Sequence, residues 1–234
     1  MFHWIQTAQA SLEQQLFGHV DAAPFPCVGA KAALARDSLQ ILACDRIDSA
    51  WDDVRIHHAL LCFVREYREQ PTLFRSLAIV FEVPHCLDEE QFEQALWARV
   101  QSLSDKDVWR GQEHDHRVST DPGNPHFSLS FGGEAFFIVG LHPRASRPAR
   151  RFEHPALVFN LHDQFERLRA GGKYETMREK ILVRDEQLAG SRNPMPARHG
   201  EASEARQYSG RAVDADWMPP YSYQGAVTGM AVKP

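Results

Sequence analysis

One stretch does more than any other to limit what this chain can fold into: residues 136–164, FFIVGLHPRASRPARRFEHPALVFNLHDQ. It reads as strand, sharp loop, basic cluster, strand and a turn into a helix. Phe136–Leu141 is mostly apolar, so it belongs inside a sheet, and Pro143 ends its ladder because it has no N–H to donate. Just upstream, Phe127, Leu129 and Phe131 alternate with serines, and Gly132-Gly133 supplies the positive φ angles of a two-residue hairpin turn. PALVF, 155–159, is a second buried strand. Asp163 is placed to cap the helix that follows, and Gly171-Gly172 to end it.

Other segments extend this frame. SLAIVFEV, 76–83, is a nearly continuous apolar run that reads as a buried strand, and SLQILAC, 38–44, as a short one. Helical spacing of apolar residues predicts helices over 4–18, 48–69, 88–102 and 173–189, with Asp88 as one N-cap. Of the adjacent His57 and His58, about 100° apart around a helix, one is expected in the core and the other in solvent. His114, Asp115 and His116 read as a solvated loop. From Gly190 on, Pro, Gly and Ser crowd the chain. The expectation is an α/β (or α+β) fold, one layered domain over 1–234 with a mixed sheet flanked by helices, and a loop-rich segment over 190–234.

Composition narrows the function classes. A net charge of −5 argues against a general nucleic-acid or membrane-surface binder. The four cysteines, 27, 44, 62 and 86, show no CxxC and no zinc spacing, so they read as free thiols of a reducing compartment, with the cytoplasm as the expected location. No apolar run approaches the ~18 residues of a membrane span. No GxGxxG, P-loop or CxxCH occurs, which leaves dinucleotide folds, P-loop nucleotide sites and covalent heme attachment unindicated.

The chemistry gathers in the opening stretch. His142 and His162 each stand where an apolar run ends, with Arg144, Arg147, Arg150 and Arg151 between them. Imidazoles can ligate the iron of a porphyrin, and guanidinium groups can pair with its carboxylates. A strand-end histidine bonded to backbone and a solvated arginine face are the plainer readings. In FPCVGAKAAL, 25–34, Cys27 is either part of a pocket wall, with Lys31 facing an anion, or a small buried thiol beside a close backbone approach at Gly29; the second is the simpler reading.

GLHP, SRPARRF, PALVFNLHDQFERLR, MREKILVRDEQLAGSRNPM, HGEASEARQYSGR and Trp217, together with FPCVGAKAAL, resemble the YqcI/YcgG family. They cover about two thirds of the chain in the right order, which is far more specific than a lone motif. The resemblance implies a heme-dependent enzyme that hydroxylates the guanidine or amine nitrogen of an arginine-like small molecule, with non-covalent heme b. It implies an external electron donor and neither a nucleic-acid nor a membrane partner. On that reading His162 is the preferred iron ligand, because Asn160 or Asp163 can orient its ring, and His142 is the alternative. Arg147, Arg150 and Arg151 are propionate partners, and the segment of Glu204, Arg206, Tyr208 and Arg211 closes over the pocket. Glu134, Asp163, Glu166, Glu201 and Glu204 are carboxylates that a cationic guanidinium can meet. A heme-binding or sensing protein without oxygenase activity, and a small-molecule binder without heme, stay open beside it. One departure stands out: Pro219 occupies a position where the family tends to have cysteine.

Overall fold

The computed structural model describes residues 2–84, 86–196 and 200–225, with side chains from residue 9 onward. Its centre is a five-stranded mixed sheet. The strands are β1 (Leu39–Arg46), β2 (Ser76–Val83), β3 (Leu129–Phe131), β4 (Glu134–Leu141) and β5 (Ala156–Leu161), in the order β1-β2-β5-β4-β3. Only β1 and β2 run parallel, joined by the crossover helix α3 (Asp53–Glu69); the other pairs are antiparallel. The expected α/β architecture with a mixed sheet is what the chain forms. The hairpin turn is the one anticipated: Gly132 and Gly133 have φ of 59° and 78°, a pair of positive angles that suits a right-twisted two-residue hairpin.

Strand residues alternate between two faces, and each face has its own cover. Leu77, Ile79, Phe81, Phe136, Ile138, Leu157 and Phe159 point to one side, where α3 and α4 (Glu89–Trp109) pack. Asp88 caps α4 through a full capping box with Gln91, which satisfies two donors at the helix start. On the other side Ala43, Ala78, Val80, Leu141 and Ala156 meet α1 (Phe2–Asp21), with Leu12, Leu16 and Val20 facing the sheet. Gln9 of α1 accepts from Ala43 N–H (2.8 Å) and donates to Ile41 C=O (2.9 Å), satisfying the outer edge of β1. This second side is completed by α2 (Val28–Ala35), α5 (His162–Ala170) and α6 (Tyr174–Ala189).

The tail from Gly200 returns across β4 through a single turn, α7 (Ala205–Tyr208). Its backbone lies so close to the strand that a Cβ at Gly140 would stand 2.8 Å from Tyr208 O, so glycine is required there. Trp217 and Tyr221 then pack on Trp97 of α4. Among the described residues no helix is long and apolar enough to cross a membrane.

Several local expectations need correction. Helix α4 runs seven residues past the expected end at 102, and α3 begins at Asp53, after two turn residues. Asp163 caps nothing; the N-cap of α5 is Leu161, and Asp163 accepts from the Tyr67 hydroxyl (2.6 Å). His57 is buried against Asp107 (2.6 Å) and His58 is exposed, as the helical geometry required. The 114–116 loop is not wholly solvated: Asp115 is buried, bonded to Arg117 and to Ala135 N–H, and that hydrogen bonding holds its carboxyl below the usual range despite the opposing effect of burial.

Candidate functional site

The second face of the sheet encloses a cavity of about 320 Å³, within the range typical of small-molecule sites. Its floor is Phe137, Val139 and Leu141 of β4, Val158 and Asn160 of β5, and Ser76 and Leu39 at the strand starts. Its walls come from α1, α2, α5 and α6, with Asn193, Pro196, Ala202, Glu204 and Gln207 on the tail side. The cavity exists because the sheet residues on this side are small: where the other face carries phenylalanines, this one has Val139, Val158, Ala78 and Ala156.

Two groups give the cavity its chemistry. Cys27 is the N-cap of α2, and its Sγ accepts from Ala30 N–H at 3.4 Å. Burial pushes this thiol up; the Ala30 and Gly29 N–H groups and the Arg150 charge act the other way. Among the described lining residues it is the sole thiol, and no imidazole accompanies it. Arg150 is the second group. Its Nη1 donates to Gly140 O (2.9 Å) and Tyr208 O (3.4 Å), and its Nη2 donates to Gln207 O (3.1 Å). It has no carboxylate ion-pair partner among the described residues, and burial pushes it down to about 10. Both groups keep some accessible surface although they lie deep in the chain, because that surface is cavity wall.

The other arginines of the loop have different work. Arg147 is ion-paired with Asp185 of α6 and donates to Ser191 O (3.0 Å). Arg151 donates to Ala145 O (2.6 Å) and Ser146 O (2.8 Å), stapling its own loop. Lys31 does not face an anion site; its Nζ donates to Asp21 O and Ala22 O at the end of α1. Neither histidine lines the cavity. His142 is 1% exposed on the opposite face, stacked on Phe92 at 4.4 Å, and burial holds its imidazole below the ordinary value. His162 begins α5, with Nε2 3.4 Å from Glu204 and Nδ1 3.7 Å from Glu166. It borders a smaller polar cleft of about 80 Å³, together with Asp115, Arg117, His126, Asp163 and Glu166.

The tail residues also divide. Glu204 lines the cavity. Tyr208 is fully buried on the opposite face, stacked on Trp97, with its hydroxyl donating to Phe136 O (3.3 Å). Arg206 donates to Val213 O and Asp214 O, and Arg211 pairs with Glu93 of α4 (2.6 Å). Of the five candidate carboxylates, Glu134 is paired with Arg68 and Arg117, Glu166 with Arg169, Glu201 is exposed and Asp163 lies in the cleft; only Glu204 reaches the cavity. Pro219 is buried in the tail segment and is not among the lining residues. Ser76, Gln164 and Phe165, which line the cavity, went unrecognised as site residues in the sequence. Ser76 donates to Asn160 (2.7 Å) and Gln164 bonds both backbone groups of Arg75, so the signal was a polar residue at the end of each apolar run.

Among the described residues no group of three or more His, Cys, Asp or Glu side chains is arranged to hold a metal ion directly. A family model described as the YqcI/YcgG family matches residues 16–222. Searches of curated proteins and of solved structures gave no match.

Proposed function

The chain belongs to the YqcI/YcgG family, and from that premise we propose that its cavity binds heme b and that the protein hydroxylates the guanidine or amine nitrogen of an arginine-like small molecule. The observation that carries this reading is a largely apolar cavity of about 320 Å³ with a guanidinium in its wall that has no carboxylate partner. A buried cation held only by carbonyls is costly, and a ligand carboxylate offsets that cost with a charge-assisted bond.

The lining fits the group. Val139, Leu141, Val158, Phe137 and Ile181 offer apolar surface to a flat macrocycle, Arg150 a partner for a propionate, and Cys27 a sulfur at a helix start where N–H groups favour the thiolate. Cys27 replaces His162 and His142 in the ligand role because those rings lie outside the lining. When bound, heme supplies the dioxygen activation that no side chain provides. The chain's own contributions are to exclude water, to hold the carboxylates and to place a cationic nitrogen. Glu204, the carboxylate on the tail side, is the partner for that nitrogen. Electrons come from an external one-electron donor. The four free thiols suit a reducing cytoplasm.

Reconstitution with hemin, desalting and a spectrum test the proposal. A Soret band should stay with the protein at one heme per chain, and the ferrous–CO form should show the long-wavelength Soret position of a thiolate ligand, lost in Cys27→Ser. Absence of any retained band overturns the heme assignment and the enzyme assignment with it. Retained heme without turnover of L-arginine or simple guanidines leaves a heme-binding protein and removes the hydroxylase.

A further inference from the structure

The cavity and the polar cleft are separate spaces, and one chain of side chains connects them. Glu204 lines the cavity and not the cleft; Glu166 and His162 line the cleft and not the cavity. His162 stands between the two carboxylates, Nε2 at 3.4 Å from Glu204 Oε1 and Nδ1 at 3.7 Å from Glu166 Oε1. Its side chain is only 9% exposed, whereas that of Glu166 is 50% exposed. The path therefore runs from solvent inward through a titratable group at every step.

We propose that Glu166, His162 and Glu204 form a proton relay from the cleft to the cavity, an inference that rests on oxygen chemistry taking place in that cavity. Hydroxylation of a nitrogen by dioxygen yields the N-hydroxy product and water, and takes up two electrons and two protons for each turnover. A closed apolar cavity cannot collect those protons from bulk water. In the relay His162 accepts a proton at Nδ1 from Glu166 or cleft water and releases one from Nε2 to Glu204. Glu204 passes it to the reacting oxygen, and the ring resets by exchanging its tautomer. Contacts of 3.4 and 3.7 Å exceed a direct hydrogen bond, and contacts of this kind commonly tighten only when the site is loaded, or carry one water. Arg169 on Glu166 (2.5 Å), with Arg117 near Asp163 (3.7 Å), keeps the outer carboxylates ionised and oriented.

The full chain tests this in two arms. In the protein without heme, the ring nitrogen resonances of His162 should shift in both Glu204→Gln and Glu166→Gln; a response to neither overturns the relay. In the hemin-loaded, dithionite-reduced protein, the probe is air. The return to the ferric spectrum should be slower by at least about tenfold in Glu204→Gln and His162→Ala, with the solvent deuterium effect reduced and added imidazole restoring His162→Ala. An unchanged rate with the Soret band intact overturns the relay and leaves the heme assignment standing. Loss of heme in His162→Ala, restored by imidazole, makes His162 the iron ligand and also overturns the relay. If the unaltered chain takes up no heme, the heme assignment fails, and the resonance arm alone decides whether the three side chains are coupled.

Discussion

The two faces of the sheet use the same strands for opposite purposes. On the side of α3 and α4, Phe63, Phe81, Phe92, Trp97, Phe131, Phe136, Phe159 and Tyr208 are essentially inaccessible, and their rings meet edge-on or tilted at about 6 Å. On the side of α1, α2 and α6, the strand residues are mostly small, and the helices stand off far enough to leave about 320 Å³. A strand such as β5, with Phe159 pointing one way and Val158 the other, shows that burial on both faces need not mean packing on both faces. Bulk on the first face supplies stability that the second does not have to provide, and so the second can hold a void and an unpaired charge.

The largest effect should come from breaking the packed face. Phe159→Ala should cost about 3–5 kcal/mol of unfolding free energy, because the rings around it cannot collapse into the gap. Its neighbour Val158→Phe, which fills the cavity, should change stability by less than about 1.5 kcal/mol yet abolish hemin uptake, since a void accepts the added ring with little strain. Urea titration with hemin binding on both variants checks the contrast; equal stability losses would show that the faces do not differ.

Arginine replacements come next. Arg150→Met keeps most of the stem and removes the charge. It should weaken hemin binding by about 10- to 100-fold, the equivalent of ~1.5–3 kcal/mol for one charge-assisted bond. Arg147→Met should leave affinity unchanged and lower stability instead, because it strands Asp185 of α6. Titration of hemin into each variant separates a ligand partner from a structural one.

The smallest effect is a dependence on pH belonging to the packed face. Burial holds the His142 imidazole below its ordinary 6.5, with Glu89 and Asp88 opposing and Arg150 reinforcing the shift. The unfolded chain thus takes the proton more readily. This contribution to stability is fully present above 6.5 and is lost as pH falls through the folded value. Between about pH 7 and pH 5 the urea midpoint should fall less steeply in His142→Phe than in the unaltered chain. Identical slopes would mean that His142 does not carry the effect.

Local signals made much of the fold legible. The Gly132-Gly133 turn, the Asp88 cap, the amphipathic stripe of α3 and the uninterrupted apolar run of β2 each encode their structure within a few residues, so no distant contact was needed to read them. Serines 128 and 130 marked the limit: they alternate with apolar residues as solvent-facing positions do, yet both are buried, bonding Phe136 O and Asp115 N–H.

The candidate site was legible only as a set of residue types. Four arginines within eight residues could be read from the chain, but their side chains diverge: Arg147 meets α6, Arg151 its own loop, and Arg150 turns into the cavity. Two histidines at strand ends looked equivalent, yet strand parity sends His142 onto Phe92 while the start of α5 turns His162 toward Glu204. Cys27 gained its place from α2, β4 and α6, elements separated by more than a hundred residues. Sequence thus sets turns, caps, periodicity and membership of the YqcI/YcgG family, because those depend on neighbours or on the motif itself. Which guanidinium lacks a carboxylate, and which sulfur faces a void, depends on the directions of side chains brought together from both ends of the chain, and only the packed structure decides that.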